Sequence, residues 1–236
     1  MLAGRIEPSQ PLQSQVEENL AAVALPRDRD SASNEHGFAA IEPIEMPGEI
    51  DAARSREYAL LAALLRRAPD RQLLEGIARL KVDASPIGLA HAALAEAARA
   101  AKPEAVEREF FDLFIGIGRG EVMPYASYYL TGFLYERPLA RLRGDLAELG
   151  IARSEGNYEP EDHVATLCEV MAGLVGGGFP APSGSDETIF KKHVEPWAAR
   201  FFADLEHAQA AQFYRSVARL GRTFIEIESE AYALPA

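Results

Sequence analysis

Cysteine occurs once, at Cys168, so no intrachain disulfide can form, and a reducing cytoplasm is the simplest home. No uninterrupted apolar run approaches the roughly 18 residues that a membrane-crossing helix needs. The stretch MLAGRIEPSQPLQSQ lacks a basic segment followed by an apolar one, so no secretory leader is expected there. Basic residues are outnumbered, 24 Lys and Arg against 36 Asp and Glu, for a formal net charge of −12. Phosphate would be repelled by that charge, which argues against nucleic acid or an anionic membrane as a partner. The same acidity favours solubility and, weakly, a basic partner. Histidine is sparse: His36, His91, His163, His193 and His207 include no i, i+4 pair, and no Glu-x-x-His spacing recurs. A carboxylate-bridged di-metal bundle is thereby excluded, and no metal or other cofactor is expected. No strand pattern holds up either, since FIEIE at 224–228 also continues the helical period that precedes it.

What the sequence does have, from Asp51 onward, is helical periodicity almost without relief. Asp51 suits an N-cap for a helix over 52–66, with Tyr58, Leu61 and Leu65 on one stripe. Pro69 fits the first turn of a helix over about 69–80. Ser85-Pro86 opens an alanine-rich helix over about 86–101. Pro103 opens another, with Val106, Phe110, Leu113 and Ile117 recurring at helical spacing. GIGRGEVMP is a loop whose glycines permit positive φ; it lacks the strand before it and the Lys-Ser/Thr of a phosphate-binding loop. A short helix follows over about 126–136, then one opened by Pro138 and stopped by Gly150. Pro160 is expected at the first position of a helix running to about 176, with Val164, Leu167, Cys168, Met171, Leu174 and Val175 buried. GGGFPAPSGS at 176–185 reads as a flexible connector. Helices over about 186–206 and 209–232 close the chain. The fold class is therefore all-α, a single-domain bundle of about nine helices over 49–236. Residues 1–48 differ in character. They hold Pro8, Pro11, Pro26, Pro43 and Pro47, with three arginines against eight acidic residues, and read as a disordered acidic tail.

The stretch Glu159-Pro160-Glu161-Asp162-His163 has more ionisable groups than a helix start requires. Negative charge in a first turn stabilises a helix by about 0.3–1 kcal/mol per group. That accounts for the acids but not for His163, because the positive end of a helix disfavours a protonated imidazole. Cys168 lies on the buried stripe and reads as an inert core thiol. Ser127 lacks the Gly-x-Ser-x-Gly setting of a hydrolase nucleophile. Three classes stand open on the residues alone. They are a binding protein with a groove, a helical hydrolase using Asp162 and His163 as an acid–base pair, and a structural helical subunit of a larger assembly.

Three segments together favour the first class. EPEDH at 159–163, MPYASYYLTGFLYERPLARLRGDLAELGI at 123–151 and HVEPWAARFFADL at 193–205 occur in the order, and at the distances, found in the TorD/DmsD family. The chain resembles these redox-enzyme maturation, or Tat-proofreading, chaperones from about residue 50 to 230. That resemblance implies an all-helical cytoplasmic protein that is not an enzyme. It implies a chaperone that binds the twin-arginine signal peptide of a molybdopterin-containing oxidoreductase, and holds the apo-enzyme until its cofactor is inserted. Carried onto this chain, it implies peptide contacts at Tyr125, Ser127, Tyr128 and Leu130, and at Glu159, Pro160, Asp162 and His163. Some relatives are linked to guanine nucleotides, for which no residues here give independent support. Tyr125 stands where relatives often carry Trp, and a long tail is not a usual family feature. The aromatic, Arg-rich form of 123–151 leans towards a formate dehydrogenase client. Exchange of the last two helices across the 176–185 connector would make a homodimer. In physical terms, Glu159, Glu161 and Asp162 are expected to form an acidic rim for the basic part of a leader. Tyr125, Tyr128, Tyr129 and Leu130 would wall a groove for its apolar part, and His163 would orient Asp162 or donate to a peptide carbonyl.

Overall fold

The computed structural model describes residues 48–153 and 158–235. The expected tail, apart from Gly48, lies outside them. Ten α-helices follow in order: α1 (Glu49–Arg66), α2 (Arg71–Ile77), α3 (Pro86–Ala100), α4 (Pro103–Phe110), α5 (Ala126–Thr131), α6 (Arg137–Glu148), α7 (Val164–Val175), α8 (Ser185–Ile189), α9 (Ala198–His207) and α10 (Phe213–Ala233). Five-residue π-helical turns extend α4 through Phe111–Ile115 and α8 through Phe190–Val194. The described residues contain no strand, and their only β-type pairing is a single antiparallel bridge between Tyr125 and His163.

Helix α7 sits at the centre, with eleven of its twelve residues buried. A helix apolar on every side can only be an interior helix. Its main neighbour is α1, whose buried face includes Tyr58, Leu61, Leu64 and Leu65. On the other side α10 packs against both α9 and α3. The α9–α10 crossing is close because Gly221 has no side chain: a Cβ there would stand 2.1 Å from the buried Phe202 ring. Polar anchors cross the apolar interior at two places. Arg54 of α1 pairs with the buried Glu228 of α10 at 2.8 Å, and Tyr58 donates to the same carboxylate at 2.9 Å. Arg66 pairs with Glu169 of α7 at 2.6 Å and donates to Thr166 at 2.9 Å.

Several helix starts differ from expectation for local reasons. Gly48, not Asp51, precedes α1, and Asp51 lies in the first turn paired with Arg54 at 2.9 Å. Asp70 caps α2 by accepting from the Leu73 amide at 2.8 Å, leaving Pro69 outside the helix. The periodicity through Ile117 does not continue as one helix. The chain opens into the π turn, Gly116 takes φ +61°, and Ile117 is 99 % exposed. The short helix expected to reach 136 ends at Thr131, where Gly132 turns left-handed at φ +86°. The helix expected over 186–206 is three pieces, because Trp197 leaves helical geometry (φ −145°) to bury its ring while its indole N–H donates to the His193 carbonyl at 2.7 Å. Ser85 caps α3 and Pro103 starts α4 as the sequence predicts.

The last helix begins at Phe213 rather than near 209, and its start is held from a distance. The Glu109 carboxylate of α4 accepts the amides of Gln212 and Tyr214 at 2.7 Å and of Phe213 at 3.1 Å. Glu121 accepts those of Gln209 and Ala210 at 2.5 and 3.0 Å. Two carboxylates distant in sequence thus satisfy the orphan amides of α10 and the turn before it.

Candidate functional site

The residues 123–127 and 159–165 meet as a knot. Ala126 N–H donates to the Asp162 carbonyl at 3.0 Å, and Val164 N–H donates to the Pro124 carbonyl at 2.9 Å. These two bonds flank the Tyr125–His163 bridge, and the two rings stand edge-on with centroids 5.1 Å apart. Pro160 is buried and accepts the His163 amide at 3.0 Å, closing a tight turn.

Each ionisable group of the pentad has its own partner. Glu159 accepts from the Tyr125 hydroxyl at 2.7 Å. Glu161 pairs with Arg143 of α6 at 2.8 Å. The Asp162 carboxylate accepts the Ser127 amide at 2.8 Å, capping the start of α5. His163 is the N-cap of α7, its Nδ1 accepting the Ala165 amide at 3.1 Å. So the pentad precedes α7 instead of forming its first turn, and Pro160 is not its first residue. Its acids brace α5, α6 and Tyr125, and its imidazole caps α7. An imidazole that accepts through Nδ1 must be neutral. Burial, helped by the nearby Arg66 guanidinium, pushes its pKa down to about 3. The helix dipole and this neutral cap are therefore compatible, which resolves the difficulty that a protonated imidazole posed.

The predicted site residues divide by exposure. Ser127, Asp162 and His163 are buried along with Pro160. Tyr125, Tyr128 and Glu159 are half-buried, and Leu130 is 43 % exposed. Burial and the hydrogen bond to Glu159 hold the Tyr125 hydroxyl well above its usual pKa, so it is a fixed donor and not an acid. Burial likewise pushes the Cys168 thiol up to about 12. Asp162 and His163 each serve a backbone amide, and an imidazole with so depressed a pKa makes a poor base near neutrality. Among the described residues no group of three or more His, Cys, Asp or Glu is placed to hold a metal ion.

Around the knot the surface is apolar and open. Past Leu130 the chain exposes Phe133 (69 %), Leu134 (37 %) and Tyr135 (73 %). Beside this strip lies a cleft of about 420 Å³ between α5, α6 and the 190–194 turn, floored by Ala126, Leu130 and Leu142. Asp145, paired with His193 at 2.6 Å and Lys192 at 3.3 Å, closes one side, and Arg141 stands at its edge. On the other side of α5, Tyr129 stacks near Trp197 (5.5 Å) and donates to Asp204 at 3.0 Å. Sequence reasoning gave Asp145, His193, Asp204 and Glu121 no role at the site, although Asp145 lies in the 123–151 segment and His193 and Asp204 in the 193–205 segment that carry the resemblance. Their nearness to it depends on the packing of α6, α9, the 190–194 turn and the loop before α5.

Comparison with known proteins agrees with this architecture. The family model described as nitrate reductase delta subunit matches residues 81–203. Chaperone protein TorD of Aliivibrio fischeri is 27 % identical over 130 residues, 51 % of this chain and 60 % of the relative. TorD of Shewanella loihica is 23 % identical over 203 residues, 76 % of this chain and 92 % of its own. Chaperone protein YcdY of Escherichia coli is 29 % identical over 120 residues, 51 % and 61 % of the two chains. The match thus spans less than two thirds of the first of these relatives. A crystal structure described as a redox enzyme maturation protein from Archaeoglobus fulgidus shares the fold. Its TM-score is 0.52 at 20 % identity, covering 78 % of this chain and 99 % of that one. Among the described residues no helix is long and apolar enough to cross a membrane.

Proposed function

The chain belongs to the nitrate reductase delta subunit family, in which the TorD and DmsD chaperones fall, and on that premise we propose that it is a maturation chaperone for a redox enzyme. In this reading it acts in the cytoplasm, without catalysis of its own. It binds the twin-arginine signal peptide of a molybdopterin-containing oxidoreductase while the cofactor is inserted, with a formate dehydrogenase as the favoured client. One observation carries the choice of surface: a strip of exposed apolar side chains, Leu130 near the end of α5 and Phe133–Tyr135 just after it, is carried by a short helix whose first turn is clamped by Asp162. Exposed apolar patches of this kind mark docking surfaces, and a clamped scaffold lowers the ordering cost of binding.

The buried members of the predicted set then act by position. Ser127, Pro160, Asp162 and His163 fix the angle between α5 and α7, while Tyr125, Tyr128, Leu130 and Glu159 are left to touch the leader. The apolar part of the leader would lie as a helix along the strip and the neighbouring cleft. A titration of a twin-arginine leader peptide against the full chain tests this. Leu130→Asp should weaken binding about tenfold, the effect of losing one half-buried leucine contact and burying a charge instead, with the melting temperature unchanged. Tight binding that is indifferent to Leu130→Asp and Phe133→Asp would move the leader off this face. Recovery of molybdoenzyme precursors with the tagged chain, read by mass spectrometry, identifies the client; a formate dehydrogenase precursor is expected to dominate.

A further inference from the structure

Two lobes of one trough run along Tyr128 and Tyr129. One, of about 240 Å³, is bounded by Glu121, Met123 and His207. The other, of about 310 Å³, is bounded by Leu130, Gly132 and Arg200. Tyr128, Tyr129 and Asp204 line both. Each tyrosine face already has a guanidinium over it. The Arg119 Cζ stands 5.9 Å from the Tyr128 centroid, and the Arg200 Cζ stands 5.6 Å from that of Tyr129. Both arginines are exposed. Arg119 is carried by a loop in which Gly116 and Gly118 have φ of +61° and +89°, so its backbone path is one that glycine makes accessible.

We propose that this trough is the subsite for the leader's pair of arginines, and that Arg119 is the chain's own guanidinium, covering the Tyr128 face until a leader arginine displaces it. The proposal rests on the functional reading above and says where the cationic part of the leader goes. The pentad is poorly placed for that task, because Glu161 is paired with Arg143, Asp162 is buried on the Ser127 amide, and Glu159 is half-buried against the Tyr125 hydroxyl. Asp204 is different. It is exposed, and its hydrogen bond from Tyr129 occupies one of the roughly four lone-pair positions of a carboxylate. Glu121, at the far end of the same trough, adds negative charge to the field there, while both of its oxygens accept the Gln209 and Ala210 amides. A planar guanidinium can stack on a tyrosine and reach a carboxylate with its edge, which an ammonium cannot do in one pose. The order of surfaces also matches a leader that is basic first and apolar second. The trough adjoins Leu130 and Gly132, and the exposed strip begins at once with Phe133.

The test uses the full chain and two synthetic leaders, one with adjacent arginines before an apolar stretch and one with lysines in their place, followed by fluorescence anisotropy. Asp204→Asn and Tyr128→Leu should each weaken the arginine leader about threefold, the size of one exposed cation–π or ion-pair contact. The lysine leader should lose less. Arg119→Ala should tighten the arginine leader about threefold by uncovering the ring. Asp204 and Arg119 are both exposed, so these two variants keep the experiment decisive even if Tyr128→Leu disturbs the packing. Equal affinity of the wild-type chain for the two leaders, or arginine-leader affinity unmoved by Asp204→Asn and Arg119→Ala, overturns the arginine subsite while leader binding stands. Failure of the wild-type chain to bind the arginine leader at all removes the functional reading itself, and this proposal with it.

Discussion

His163 caps α7 and closes the knot with one neutral ring, and its titration follows from that geometry. Its folded pKa lies near 3 against 6.5 for the unperturbed group, with burial as the main cause. Between those values the unfolded chain binds a proton that the folded chain refuses. Stability is therefore fully present above about pH 6.5 and is lost as the pH falls towards 3, at up to about 1.4 kcal/mol per pH unit. Denaturant unfolding at pH 7.5 and pH 5 should show a loss of about 1–2 kcal/mol from this group. His163→Asn offers a capping acceptor that does not titrate. The difference between the two pH values should shrink by that amount in the variant, and an undiminished difference would show that His163 takes up its proton in the fold as readily as in the unfolded chain. Asp162→Ala belongs to the same scale. It leaves the buried Ser127 amide without its acceptor and should cost about 1–3 kcal/mol. Any loss of leader affinity in that variant should then come with a lower melting temperature, as befits a positioning residue.

At the scale of elements, α10 depends on carboxylates that lie about a hundred residues away in sequence. Glu109 is buried and gathers three amides, whereas Glu121 is exposed and gathers two. Glu109→Ala should therefore cost about 2–3 kcal/mol, and Glu121→Ala about 1 kcal/mol or less, since water can replace an exposed acceptor. Thermal melts that reverse this order would contradict the assignment. Gly221→Ala tests the α9–α10 crossing; a methyl group driven into the Phe202 ring should cost about 1–3 kcal/mol despite the higher helix propensity of alanine. These long-range devices mark the limit of what the sequence makes legible. The helices themselves, the cap at Ser85, the proline start at Pro103 and the buried stripe of α7 follow from local spacing and could be read directly. So could the nearness of Tyr125 to His163, through the resemblance of their segments to one family. The roles inside the pentad could not. Acids before an apolar helix look like its first turn, and only the packing of α5 and α6 against that turn gives each carboxylate a different partner. The π turns after α4 and α8 were hidden for the same reason, because Ile117 and Trp197 keep the helical period while the backbone leaves it.

For the whole molecule the formal net charge is −12, and under the proposed function it faces a leader that begins with positive charge. Opposite net charges raise the encounter rate more than they lengthen the complex's lifetime. The contacts that hold the complex, in this reading, are apolar strip against apolar stretch and guanidinium against tyrosine, both of which salt screens only weakly. Stopped-flow association of the arginine leader between about 50 and 300 mM salt should therefore show an on-rate that falls several-fold, as the screening length shrinks from roughly 14 to 6 Å. The off-rate should change by less than about twofold over the same range. Leu130→Asp should show the reverse pattern, a faster off-rate with little change in the on-rate, because it removes a short-range contact and adds one charge to a field already made of many. If the off-rate of the wild-type complex rises with salt as steeply as the on-rate falls, ion pairs rather than the apolar strip hold the leader. The docking surface would then have to be sought among the carboxylates, Asp145 at the edge of the 420 Å³ cleft and Asp204 beside Tyr129.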